Sequence, residues 1–124
     1  MLSNSRLQTL ICTSNLNASK KFYSDVLGLS IKDRSDGALV YDVGGSDLRV
    51  SPVPSTKPSE HTVLGFAVAD VSSVVTALSE KGIMFERFAG FPHGPDGIFV
   101  TPDNSRVAWF RDPDGNLLSV VQYP

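Results

Sequence analysis

The chain has 124 residues, a length that fits one domain or two small halves sharing one core. Hydrophobic residues make up 41%, charged residues 19%, and the net charge is -2, so composition is that of an ordinary globular protein with no electrostatic basis for binding nucleic acid or an anionic membrane. The single cysteine, Cys12, excludes an intrachain disulfide and a Cys-rich zinc site, no stretch approaches the ~20 apolar residues of a bilayer span, and "MLSNSRLQTL" lacks the pattern of a secretory signal, so a cytoplasmic location is expected.

In chain order, "RLQTLICTS" (6–14) predicts a strand. "NLNASKKFYSDVLG" predicts a helix, with Asn15 or Asn17 as N-cap, an apolar stripe through Ala18, Phe22, Tyr23 and Val26, and Gly28 as the stop. "LSIKDRS" follows as a strand, "DG" as a turn, "ALVYDV" as a strand, "GG" as a turn and "SDLRVSPV" as a fourth strand. The Pro- and Ser-rich stretch around residues 54–60 reads as a linker between a first module, 5–53, and a second, 61–123.

The second half repeats the order. "HTVLGFAV" predicts a strand, and "ADVSSVVTALSEKG" a helix capped by Asp70 and closed by Gly82. "IMFERF" reads as a strand, "RVAWFRD" as another and "NLLSVVQ" as the last. Between them runs "AGFPHGPDGIFVTPDNS", with three Pro and three Gly, long enough to act as a lid or binding loop, or to hide a hairpin in which "GIFVTP" pairs with "RVAWF". A short hairpin whose Phe91–Gly97 end folds over a binding mouth is the expectation. Two copies of a strand-helix-strand-strand-strand unit are too few for a solenoid, so the two are expected to bury their sheets against each other or against a second subunit.

The duplicated unit, with "NLNASKKFYSDVLGL", "GFAVADVSSVVTALSEKGI" and "VAWFRDPDGNLLSVVQ", resembles the vicinal-oxygen-chelate superfamily of glyoxalases, bleomycin-resistance proteins and extradiol dioxygenases. The resemblance implies an α+β fold: two βαβββ modules forming an open, curled mixed sheet, a cup with helices on the outside. It also implies that cups are completed by pairing of modules within one chain or across two, and a homodimer is expected.

In metal-dependent relatives four inward positions hold a divalent ion. By motif these fall on Gln8, Arg49, Val63 and Ser119, Val63 to within a residue or two. Val63 has no donor atom, Arg49 is a fixed cation, and Ser119 is neutral and a weak ligand. At ~4 Å and an effective dielectric of about 20, two unit charges interact by about 4 kcal/mol, so a divalent ion beside a guanidinium with no carboxylate is repelled. No metal and no other cofactor is expected. One substitute set remains open: His61, Glu86 and His93, if the long loop folds inward.

Without metal, a concave apolar pocket with a few polar anchors is a small-molecule site. Strand alternation offers Gln8, Leu10 and Cys12, Asp47 and Arg49, His61, Val63 and Ala67, and Leu117, Ser119 and Val121 as inward residues. Substrate-binding candidates are Gln8, Arg49, His61, Val63, Trp109, Ser119, Phe91 and His93; no catalytic residue is identified. Each has a plain structural alternative. Arg49 can pair with Asp47 or Asp42, Ser119 can fill a tight spot, Gln8 can bond a neighbouring strand, His61 can close the linker, and Trp109 can be core. Cys12 is expected to be a small buried hydrophobe. No nucleophile elbow, H-E-x-x-H, phosphate loop or dinucleotide fingerprint is present.

Three functions follow. The favoured one is metal-independent binding of a small amphipathic or aromatic molecule; the others are a divalent-metal-dependent lyase, isomerase or dioxygenase of the same superfamily, and an interaction module whose cup is filled by side chains.

Overall fold

The computed structural model describes residues 1–33 and 37–124. The chain divides into two compact units, Met1–Lys57 and Pro58–Pro124. Each is a four-stranded mixed sheet with one helical segment, the α+β, βαβββ organisation that the sequence predicts.

In the first unit, β1 (Gln8–Thr13) leads into α1 (Leu16–Lys20), which continues as a wider π-helical segment, Lys21–Val26. β2 (Ser30–Asp33), β3 (Leu39–Val43) and β4 (Ser46–Pro52) follow. The spatial order is β1-β4-β3-β2, with β1 parallel to β4 and the other pairs antiparallel. The end of the expected second strand, Arg34 and Ser35, and the first turn residue, Asp36, lie outside the described residues.

The helical side of this sheet buries Ile11, Thr13, Leu39, Tyr41, Leu48 and Val50, with Phe22 and Tyr23 above them. Tyr23 meets Phe22 edge-on at 5.1 Å and Tyr41 at 6.1 Å, and Ser24 Oγ lies 2.9 Å from the Tyr41 hydroxyl. The corner between strand and helix is tied by Thr13. Its Oγ1 donates to Asn15 C=O (3.0 Å) and accepts from Asn15 N–H (3.1 Å) and Ser19 Oγ (2.7 Å). Asn15 is the N-cap, accepting from Ala18 N–H at 3.1 Å, and Gly28 closes the segment at φ +72°.

In the second unit, β5 (Leu64–Ala67), α2 (Val71–Glu80), β6 (Phe99–Val100), β7 (Arg106–Arg111) and β8 (Leu117–Gln122) form a sheet in the order β5-β8-β7-β6. The expected strand over "IMFERF" is not formed. Only Glu86 bridges to Trp109, and the second strand of the unit is Phe99–Val100, paired with Val107 and Arg106 as the hairpin reading of "GIFVTP" requires. Gly82 at φ +92° ends the α2 turn, and the apolar residues that follow answer to tertiary partners: Phe85 packs on Phe110 at 5.7 Å and Phe88 on Trp109 at 5.2 Å, with one rung of pairing between them.

The helical side of this sheet carries Ala108, Phe110, Leu118 and Val120, all buried, under Val71, Val75 and Leu78 of α2. Two bonds fix α2 at its start. Asp70 caps it through Ser73 N–H (3.3 Å) and Ser73 Oγ (2.7 Å), and Gln122 Oε1 accepts from Val71 N–H at 2.9 Å. The β7–β8 turn is organised by buried Asp112. One of its oxygens accepts from Asp114 and Asn116 N–H (3.0 and 2.9 Å), and the other from Asn116 Nδ2 (2.9 Å).

Thr13→Val keeps the shape and removes the hydroxyl hub, and is expected to cost about 1–3 kcal/mol in urea unfolding; an unchanged midpoint would show the corner to be held otherwise. The hydrogen bond from Ser73 holds the Asp70 carboxyl below its ordinary pKa. Its stabilisation is present above the unfolded carboxyl pKa and fades as pH falls through the lower folded value. The stability gap between the wild type and Asp70→Ala is therefore expected to be open at neutral pH and to close in acid, read from unfolding midpoints across that range.

Candidate functional site

The side of the second sheet turned away from α2 holds a concentrated aromatic patch. Pairing sets Trp109 opposite Ser119 and Ser119 beside Gly65, while Phe99 stands opposite Val107. Trp109 and Phe99 therefore share this face with Leu117 and Val121, and Glu86 joins through its bridge to Trp109. Glu86 Oε1 accepts from Arg111 Nε at 2.9 Å, and Arg111 Nη1 donates to Gly115 C=O at 2.9 Å.

The segment after Glu86 folds back onto this face. Phe91 stacks on Phe99 (4.8 Å, 23°) and lies nearly parallel to Trp109 (6.1 Å, 16°). Phe88 stands across them, at 5.2 Å and 79° to Trp109. Such pairs each contribute about 0.5–1.5 kcal/mol beyond burial.

His93 holds the segment in this shape. Its Nε2 accepts from Phe88 N–H at 3.1 Å, which requires the proton on Nδ1, and Nδ1 then donates to Gly97 C=O at 2.8 Å. Gly94 N–H to Ile98 C=O (2.9 Å), Ile98 N–H to Asp96 Oδ1 (3.0 Å) and Arg87 Nη2 to Pro95 C=O (2.8 Å) complete it. Gly97 is at φ +89°, and a Cβ there would lie 3.0 Å from Phe85 Cβ, so both backbone and space call for glycine.

Beside the rings is a cleft of about 300 Å³ lined by Glu60, His61, Thr62, Phe88, Phe91, Trp109 and Leu117. Of the sequence candidates, it brings together His61, Phe91 and Trp109. His61 reaches it although β5 begins only at Leu64, so strand alternation does not place it. Val63 N–H pairs with Leu117 C=O at 2.9 Å at the edge of the same face. His93 does not line the cleft; its ring sits among the aromatic ones, 6.4 Å from Phe91 and 5.9 Å from Trp109. Ser119 is buried, and a Cβ on Gly65 would sit 3.0 Å from its Oγ.

Gln8 and Arg49 belong to the first unit, where Gln8 stands opposite Asp47 and Leu10 opposite Arg49, all on the side away from α1. Asp47 there accepts from Arg6 (2.9 Å) and Lys32 (3.1 Å), and these bonds, Arg6 first, hold its carboxyl below the ordinary value. Cys12 is exposed rather than buried, because alternation puts it with Gln8 and Leu10 while Ile11 and Thr13 take the core side.

Phe88, Glu60 and Thr62 line the cleft without having been singled out from the sequence. Phe88 carried a signal, since Glu86 and Phe88 are two apart and share a side once Glu86 is placed. Glu60 and Thr62 precede the strand and had none.

The residues do not fit a divalent ion. Val63 and Ser119 offer one weak oxygen between them in this unit, and Gln8 and Arg49 offer one amide oxygen in the other. The substitute set is also committed elsewhere: Glu86 to Arg111, and both His93 nitrogens to the backbone. Among the described residues no group of three or more His, Cys, Asp or Glu could hold a metal. No helix among them is long and apolar enough to cross a membrane.

The family model for the Glyoxalase/Bleomycin resistance protein/Dioxygenase superfamily matches residues 6–120. The chain belongs to this superfamily. No curated protein matches it. Among solved structures it is similar to lactoylglutathione lyase from Agrobacterium tumefaciens, at 20% identity and TM-score 0.75 over 98% of this chain and 96% of that one. It is similar to TnmS3, an antibiotic binding protein from Streptomyces sp. CB03234, at 21% identity and TM-score 0.74 over 100% and 99%. It is also similar to the oxidase ChaP-H2, at 19% identity and TM-score 0.71 over 98% and 95%. At these identities the likeness shows the fold, and a superfamily whose relatives include a lyase, an oxidase and a binding protein leaves the activity to be argued from the site.

His93→Ala removes both bonds that close the Phe88–Gly97 segment. Hydrogen exchange at the Phe88 amide is expected to accelerate on the order of 10-fold, equivalent to about 1.4 kcal/mol; unchanged exchange would show that the rings alone hold the segment.

Proposed function

We propose that the protein binds a small amphipathic or aromatic molecule on the aromatic side of its second unit, without a metal ion. The observation that carries this reading is the stack of Phe91 on Phe99 and Trp109 beside a cleft of about 300 Å³, at the lower end of the size range for small-molecule sites. Ring faces held by an internally bonded segment cost little ordering on binding. The lack of carboxylate and imidazole at the four motif positions supports metal independence. Similarity to an antibiotic binding protein supports sequestering rather than turnover as the role. The alternative within the superfamily is a divalent-metal-dependent lyase, isomerase or dioxygenase, supported by similarity to the lyase and opposed by the donor set.

The reading extends to a cytoplasmic homodimer. Each sheet has edge strands, and Leu7 and Leu10 at β1 are 72% and 63% exposed, surface that a second copy would cover. Light scattering is expected to give twice the 13.3 kDa chain mass.

Binding is tested with quinoline, a flat two-ring probe, followed through the indole N–H signal of Trp109, the sole tryptophan. Chelator-treated protein is expected to bind as well as untreated protein, and Phe91→Ala to bind at least ~5-fold more weakly, the loss of one stacking partner. Binding that appears only with added divalent metal would overturn metal independence. Binding indifferent to Phe91→Ala would move the site elsewhere.

A further inference from the structure

The cleft beside Trp109 has a distinct charge. Among its seven lining residues Glu60 is the only carboxylate, and none is Lys or Arg. The neighbouring cations are committed: Arg111 to Glu86 and Gly115, and Arg87 to Pro95 C=O. Glu86 is matched by Arg111, so, with His61 counted as neutral at pH 7, Glu60 supplies the formal charge of the cleft itself.

The rings add to the same sign. Aromatic faces are the negative side of the ring quadrupole. Phe88 stands at 85° to Phe91 and 79° to Trp109, while Phe91 and Trp109 differ by 16°. A corner of rings at right angles with a carboxylate at its rim is the arrangement by which aromatic cages hold an ammonium group. An anion placed there meets a carboxylate and ring faces of its own sign, while a neutral ring gains stacking alone.

We infer that the cleft selects organic cations, namely flat aromatic ring systems bearing a quaternary or protonated nitrogen. This rests on the reading of the aromatic side of the second unit as a ligand site, and names the chemical class that site takes. The ring system stacks against the Phe91–Trp109 wall, and the nitrogen lies toward Phe88 and Glu60. Because Glu60 is exposed, its share of the attraction is screened by salt, while the share from the rings is not.

The test uses three probes built on one ring system, on the full chain near neutral pH and low salt: N-methylquinolinium, quinoline and quinoline-2-carboxylate, each followed at the Trp109 indole N–H. N-methylquinolinium is expected to bind roughly 5–20-fold more tightly than quinoline, with the carboxylate weakest. Glu60→Gln is expected to narrow the gap between the cation and quinoline by about 2–5-fold. Equal or tighter binding of quinoline or the carboxylate would overturn the cation preference while leaving the aromatic site standing. An undiminished gap in Glu60→Gln would remove Glu60 from recognition and overturn the inference as drawn. If none of the three shifts the Trp109 signal, both the inference and the binding reading beneath it fall.

Discussion

Strand register in the second unit sets Trp109 across from Ser119 and Ser119 beside Gly65, and the rest of the site follows from that rung. The same register turns Ala108, Phe110, Leu118 and Val120 toward α2, where they are buried. A slip of one residue would exchange these sets, putting the indole under the helix and Phe110 on the outer side. The buried Asp112 carboxylate guards against such a slip by pinning the turn that joins the two strands. With no side chain at 65 and only a hydroxymethyl at 119, the rung stays low beside the indole.

The rung alone gives one half-buried aromatic, Trp109. What makes it a surface of several rings is the segment between Phe88 and Ile98, whose backbone polar groups are met largely within itself and by the His93 imidazole. A histidine with one nitrogen accepting and the other donating to main chain is a structural cross-brace and has no lone pair left for a metal. The residue most like a ligand by type thus serves the site by holding its wall.

The elements written in short-range chemistry were legible. Caps at Asn15 and Asp70, stops at Gly28 and Gly82, and the turn before Gly115 all stand where the residues put them, because each depends on neighbours a few positions away. The strand expected over "IMFERF" does not form because its apolar residues answer to tertiary partners: Phe85 packs on Phe110, and Phe88 on Trp109. Alternation assigned Cys12 to the side of Gln8 and Leu10, yet its apolar character suggested burial; the register, not the hydropathy, decided. Of the site, the aromatic members Phe91 and Trp109 were visible as types, but nothing local told that they stack. Glu60 closes a stretch whose composition signals only a connector, and Thr62 lies in the expected strand "HTVLGFAV" on the side opposite His61 and Val63, so neither carries a signal for the cleft.

Since the stretch from Phe88 to Ile98 largely meets its own hydrogen-bonding needs, its attachment to the strands of the second sheet rests chiefly on ring contacts and on Phe85 beneath Gly97. Such a cassette can be lengthened, shortened or re-lettered without re-threading the ladder below it. A scaffold carrying a self-bonded insert of this kind separates the part that sets its shape from the part that presents its rings, so the recognition surface and the ladder answer to different residues.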